Sequence, residues 1–295
     1  MRALRIIRHR LVSIKTTEKI TRAMKIVATA KLQGAEARYS MAKTYAQLLG
    51  KVIKDLVYRA DPEGLPLLGG REQEKTLELL IVSSDRGLCG SFNSGLFRFV
   101  DRHIEEQSKK FEKIQLSVIG RKARDAYKNT AFPIRKKWVN YITGKGDYLR
   151  SIEIAEDFID TFYQEGFDRL HIIYNSFVSR LSYKPAVLEL IPLCAFAKIQ
   201  RESFVEFKYE PEREKILQEL LPWAVKSEVF RVFLESFASE QIARMTAMDN
   251  ATRNAEEMID LLTLTYNRAR QESITTELMD IVNGAEALKR GGVGL

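Results

Sequence analysis

SIKTTEKITRAMKIVATAKL, residues 13–32, lies inside the pattern that decides the fold. Alternating steps of three and four from Leu4 give Leu4, Ile7, Leu11, Ile14, Glu18, Thr21, Lys25, Ala28, Leu32, Ala35, Tyr39, Ala42, Ala46, Leu49, Ile53 and Leu56. This is a heptad seam without proline, flanked by Lys, Arg, Glu and Gln, and it predicts one helix over 4–57. At about 1.5 Å per residue the helix runs roughly 80 Å, too long to stand alone. The only segment of matching length and polarity begins after Pro222 and extends to about Leu288. The two chain ends are therefore expected to pair as an antiparallel coiled coil, with the middle forming a separate body.

Working inward, residues 58–75, with two prolines and three glycines, read as a linker. Apolar runs at 76–84, 114–119, 170–174 and 182–191 read as strands, the last nearer an edge. Helical spacing covers 96–110, 121–128 and 148–165. Strands alternating with helices predict a largely parallel sheet with helices on its faces. The expected fold class is thus α/β plus a long antiparallel coiled coil, with a central Rossmann-like α/β domain. Its divisions are 1–57 (first coil helix), 58–75 (linker), 76–204 (α/β domain) and 205–295 (second coil helix). Proline predicts a break or kink at Pro222. Ala243, Ala247, Ala251 and Ala255 form one small-residue ridge, and Ala28, Ala35 and Ala42 offer matching positions for close approach. Glu18 and Lys25 on the seam predict a locally wide coil.

Composition narrows the function. Of 295 residues, 47 are Lys or Arg and 39 Asp or Glu, a net charge of +8. The excess sits on the first helix, where eight basic residues face one acid, Glu18, between Met1 and Lys25. That is a solvated helix face or a rod lying against acidic groups or phosphates. No apolar run is long enough for a membrane span. The seam starts at Leu4, so no removable leader is expected. Cys89 and Cys194 make neither a disulfide framework nor a zinc site. The turn with Gly87, Gly90 and Gly95 lacks the Gly-Lys-Ser/Thr ending and the G-x-G-x-x-G spacing of nucleotide loops, and reads as a tight turn carrying Asp85 and Arg86. His9, His103 and His171 lie near no nucleophile motif. No catalytic residue and no metal site is expected.

Four motifs carry a family resemblance: the N-terminal stretch quoted above, SSDRGLCGSFN (83–93), SEQIARMTAMDNATRNAEEMI (239–259) and LTYNRARQESITTELMDIVNGAEAL (264–288). Together they resemble the gamma subunit of rotary, proton-translocating (F-type) ATP synthases. The resemblance implies a central stalk whose coiled coil enters a hexamer of three alpha and three beta subunits. Its α/β domain would form a foot on the membrane c-subunit ring, beside the epsilon subunit. The shaft turns with the ring and drives the catalytic beta subunits through their states, so ATP, ADP and magnesium belong to partner subunits and this chain binds no cofactor.

By motif, Met24 and Lys25 would face the beta subunits' moving segment, with Arg244 across the coil. Arg270, Gln271 and Thr275 would contact a beta-subunit loop, and 278–288 would sit in an apolar bearing. Tyr209 and Glu210 would lie near the c ring and epsilon. Plastid members carry a cysteine-containing regulatory insertion, whereas Cys89 and Cys194 form no close pair, so thiol regulation is not expected. The implied location is peripheral, on the cytoplasmic face of a bacterial inner membrane. Two readings compete: a basic coiled-coil adaptor for nucleic acid, which would show steep salt dependence, and an ATP-binding enzyme, which would bind nucleotide alone. The resemblance implies no nucleic-acid partner.

Overall fold

The computed structural model of the chain describes residues 2–57, 64–71, 73–144, 147–193, 210 and 212–291. The elements run α1 (Arg2–Val57), α2 (Pro66–Gly69), β1 (Thr76–Val82), α3 (Phe92–Gln107), β2 (Lys113–Ile119), α4 (Arg121–Tyr127), β3 (Ile134–Trp138), α5 (Asp147–Tyr163), β4 (Arg169–Ser179), β5 (Ser182–Ile191) and α6 (Arg213–Gly291). They fall into two compact units: unit 1 comprises 1–26 and 247–295, and unit 2 comprises 27–246. Both α1 and α6 contribute to each. Among the described residues no helix is long and apolar enough to cross a membrane.

Unit 2 is built on a five-stranded sheet of order β3-β2-β1-β4-β5. β1 pairs in parallel with β2 and β4, β2 with β3 likewise, and β4 with β5 antiparallel. Side chains alternate across the sheet as strand geometry requires. Leu77, Leu79 and Ile81 join Leu116 and Val118 beneath α3 and α4. Leu80, Val82, Ile172 and Tyr174 face the opposite way, against Phe158 and Phe162 of α5, Ile53 and Leu56 of α1, and Val229 and Phe233 of α6. The stretch between α1 and β1 also contributes core, because Leu65, Leu67 and Leu68 are buried.

Every seam position from Leu4 to Leu56 is buried or half-buried, so the periodicity located the inner face of α1 correctly. Three expectations need correction. β3 was not anticipated: IRKKW is short and charged, and it is paired on one side only. α6 continues through Pro222 without a break in the helix; the carbonyl left without a donor is that of Gln218, on the exposed side, while Leu221, Ala224 and Val225 are buried and hold the turn. Finally, Ala243 is buried against Cys89 and Phe92, while Ala35 packs with Ala238, Phe237 and Ile242. The small-residue ridge thus does not serve a single seam. Cys89 is a buried free thiol, and burial pushes its pKa up; Cys194 lies outside the described residues.

Between α3 and β4 lies a buried imidazole pair, with His103 Nε2 3.1 Å from His171 Nδ1. Burial lowers both pKa values, and for His171, with His103 and Arg169 adding to it, the value falls to about 3. Both rings are neutral when folded and take up protons when unfolded below about pH 6.5. Stability conferred by this pair is therefore complete above that pH and falls as the pH drops toward 3. A His103→Leu, His171→Leu variant is expected to lose less stability than the parent between pH 7 and pH 5, read from denaturant midpoints. Equal losses would contradict this.

Candidate functional site

In unit 1 the seam turns polar where α1 meets α6. The hydroxyls of Thr21 and Thr252, both buried, lie 2.8 Å apart and also reach Glu18 O and Met248 O. One turn away Lys25 Nζ sits 2.5 Å from Asp249 Oδ1, and Arg253 donates to Oδ2 at 2.8 Å. The hydrogen bond from Lys25, with the charge of Arg253, holds the Asp249 carboxyl below its usual range despite some desolvation. Arg22 bridges Glu18 at 2.7 Å and Glu256 at 2.6 Å. Advancing along α1 from Arg22 to Lys25 means retreating along α6 from Glu256 to Asp249, so the pair is antiparallel. A polar pair on an otherwise apolar seam costs stability but fixes register.

Counting from Thr21–Thr252, the start of α1 at Arg2 falls opposite roughly residue 271 of α6. Residues 274–285 of α6 accordingly have no α1 residue opposite and are exposed. Of its hydroxyl residues, Thr263, Thr265 and Thr276 donate to the carbonyls four residues earlier, which satisfies the side chains without breaking the helix.

In unit 2 the turn 83–93 lies at the carboxyl ends of β1 and β2. Asn93 closes it: Oδ1 accepts from Ser84 N at 3.2 Å, and Nδ2 donates to Ser84 Oγ at 2.8 Å. Asp85 accepts from Arg121 N at the start of α4 and from Asn140 N, both at 3.0 Å. Gly120, at φ +94, passes so close to Ser83 that a Cβ there would lie 2.4 Å from its carbonyl oxygen. Arg244 of α6 donates to Gly87 O at 2.7 Å and pairs with Glu240 at 2.5 Å. Ser84, Asp85, Asn93 and the carbonyl of Gly87 are thus engaged within unit 2. A groove of about 830 Å³ elsewhere in unit 2 is lined by Lys43, Lys51 and Lys54 of α1, Leu188 and Glu189 of β5, and Glu228 of α6. Its mixed charge selects no class of ligand. No cluster of three or more metal-ligating side chains occurs among the described residues.

The residues singled out from sequence are distributed as follows. Met24 is half-buried, and Lys25 is ion-paired to Asp249 with 43% of its side chain still exposed. Arg270, Gln271 and Thr275 are exposed on α6, all in unit 1. Arg244 belongs to unit 2, where it clasps the 83–93 turn and is only 12% exposed. Glu210 is exposed, and Tyr209 lies outside the described residues. Sequence reasoning missed Asp249, Thr252 and Glu256, whose importance arises only once the register is known.

A family model described as ATP synthase matches residues 3–288. The ATP synthase gamma chain of Syntrophus aciditrophicus is 41% identical over 294 residues, covering 99% of this chain and 100% of that one. This chain belongs to the ATP synthase gamma-chain family. The gamma chain of Anaeromyxobacter sp. (strain K) is 44% identical over 292 residues, 98% of this chain and 100% of that one. Among solved structures, a chain of the central stalk/c-ring of Tetrahymena thermophila mitochondrial ATP synthase is 28% identical, with a TM-score of 0.59 over 79% of this chain and 99% of that one. A chain of the Euglena gracilis mitochondrial ATP synthase, OSCP/F1/c-ring, shares the fold at 21% identity, with a TM-score of 0.69 over 98% and 95%.

Within this gamma chain, Arg244 holds the Glu240 carboxylate, 15% exposed, and a backbone carbonyl. Burial raises the Glu240 pKa and Arg244 lowers it. Arg244→Ala is expected to destabilise the isolated chain by about 1–3 kcal/mol, the cost of stranding a buried polar partner, and to speed amide exchange across 84–90. Unchanged exchange there would contradict the clasp.

Proposed function

We propose that unit 1 of this gamma chain is the surface on which the beta subunits of an ATP synthase act, and that the chain serves as central shaft and supplies no catalytic group. One observation carries the reading. In unit 1 Ile6, Val12, Ile20 and Ile26 of α1, and Met258, Leu261, Leu264, Ile274, Leu278, Met279, Ile281 and Val282 of α6, are all about half exposed or more. An apolar surface of that extent calls for a sleeve of partner protein. Arg270, Gln271 and Thr275 interrupt it with groups able to hydrogen-bond a beta-subunit loop, while Met24 and Lys25 present an apolar and a cationic group to the moving segment. Exposed ion pairs are worth about 0–1 kcal/mol, which suits a contact made and released each turn.

The partners are three alpha and three beta subunits around unit 1, with epsilon and the c ring on unit 2, where Glu210 and Tyr209 are assigned. Arg244 is assigned to the beta contact through the 83–93 turn that it fixes. Nucleotide and magnesium are assigned to the partner subunits; in this chain Asp85 accepts from Arg121 N and so occupies the amino end of α4 with a carboxylate of its own. Its place is peripheral, on the cytoplasmic face of a bacterial inner membrane, held there through the c ring; the similarity to the Syntrophus and Anaeromyxobacter chains supports this.

Mixed with alpha and beta subunits, the chain is expected to assemble as one copy per three pairs and to show no saturable Mg·ATP binding alone. Nucleotide binding by the isolated chain, or failure to assemble, would overturn the proposal. Gln271→Ala should lower ATP-synthesis turnover several-fold in the complete complex while leaving the melting temperature of the isolated chain unchanged, since the side chain is exposed. Unaltered turnover would remove that residue from the contact.

A further inference from the structure

In unit 2 the helix α6 is buried on all sides from Val232 to Ser239, and a single carboxylate, Glu235, lies within that run at 2% exposure. Oε1 accepts from Ser176 Oγ at 2.6 Å and from Phe177 N at 3.1 Å. Oε2 accepts from Tyr174 OH at 3.2 Å and from Arg231, one turn earlier on α6, which also pairs with Glu228 at 2.7 Å. The hydroxyl of Tyr39 on α1 faces the same group: its pKa is raised first by burial and next by the Glu235 charge.

Three of these donors come from one strand for a topological reason. β1 pairs with β4 only as far as Ile81–Ile173, whereas β4 continues to Ser179. On that side Phe177 has no strand partner for its N–H, and the α6 carboxylate takes that role. Around the hub α1 is tied to the body as well. The Tyr39 and Phe177 rings lie 5.7 Å apart, and Arg180 of the β4–β5 turn pairs with Glu36 at 2.9 Å. Arg38 donates to Gly144 O, and Gly144, at φ +78, runs so close to Phe237 that a Cβ would meet its ring at 2.4 Å.

We infer that Glu235 keys the two shaft helices to the α/β body, so that this buried carboxylate keeps the body in rotational register with the shaft under load. The inference rests on the shaft reading above. Apolar packing resists separation but is non-directional and lets surfaces slide. Hydrogen bonds weaken steeply once distance and angle are lost. A carboxylate held from several directions therefore opposes shear in a way that the surrounding core does not. Glu235 is a positioning residue: it touches no nucleotide and acts through β4.

The test uses the complete complex in sealed vesicles carrying Glu235→Gln, with ATP hydrolysis by the alpha–beta–gamma assembly as the unloaded readout and ATP-driven proton pumping as the loaded one. Hydrolysis per assembled complex is expected to stay within about twofold, while protons pumped per ATP fall several-fold as the opposing gradient grows. If assembly falls but pumping per ATP stays at the parental value, Glu235 is merely structural and the inference is overturned. Because an unbalanced Arg231 could prevent folding, an Arg231→Gln, Glu235→Gln variant is run beside it. It is expected to recover assembly without coupling, and parental coupling in it would equally overturn the inference. A parental complex that hydrolyses ATP without pumping would instead refute the shaft reading.

Discussion

Two helices drawn from opposite ends of the chain must keep one register, and most of the structure follows from how that is achieved. An apolar heptad seam alone allows neighbouring registers, because one small aliphatic side chain packs much like another. Here the seam carries Thr21 against Thr252, flanked by Lys25–Asp249 and Arg22–Glu256. Each pair is satisfied at only one alignment. In unit 2 the same role falls to shape and buried charge: Leu32, Ala35, Phe237 and Ile242 interlock, and Glu235 gathers donors from β4.

The distribution of burial divides the work between the units. The large cores on the two faces of the sheet lie wholly in unit 2, where Phe158, Phe162, Phe167 and Phe233 are fully buried. Unit 1 buries little beyond its seam and leaves large aliphatic side chains in solvent. A helix pair with that surface gains its remaining burial from partners. Weak, exposed charges on it allow contact and release within a cycle, while a fixed register lets the pair turn as one body.

Much of this was legible in the sequence. Three-four periodicity placed the α1 seam residue by residue, even at Glu18, Thr21 and Lys25, because a long helix offers only one face to a partner. β1, β2, β4 and β5 were evident from short apolar runs. β3 was hidden because IRKKW sits at a sheet edge and carries three charges in five residues. The continuity of α6 through Pro222 depends on tertiary packing that local propensity does not register. Arg270, Gln271 and Thr275, exposed on α6 and proposed as contacts, were reached by family resemblance. Arg244 clasps a carbonyl far away in sequence, which no local pattern displays. A signal for Glu235 did exist in VFLESFAS, a lone charge in a run of otherwise apolar residues and serines.

The most direct test of a single rigid shaft is a disulfide between Thr21→Cys and Thr252→Cys, whose parent hydroxyls lie 2.8 Å apart. Rotation of a probe fixed to the gamma chain would be followed in the assembled complex during ATP hydrolysis, oxidised and then reduced. If α1 and α6 turn as one body, the oxidised complex rotates stepwise in one direction at the reduced rate. Rotation that stops on oxidation and returns on reduction would show that the helices slide past each other during the cycle, contradicting the account.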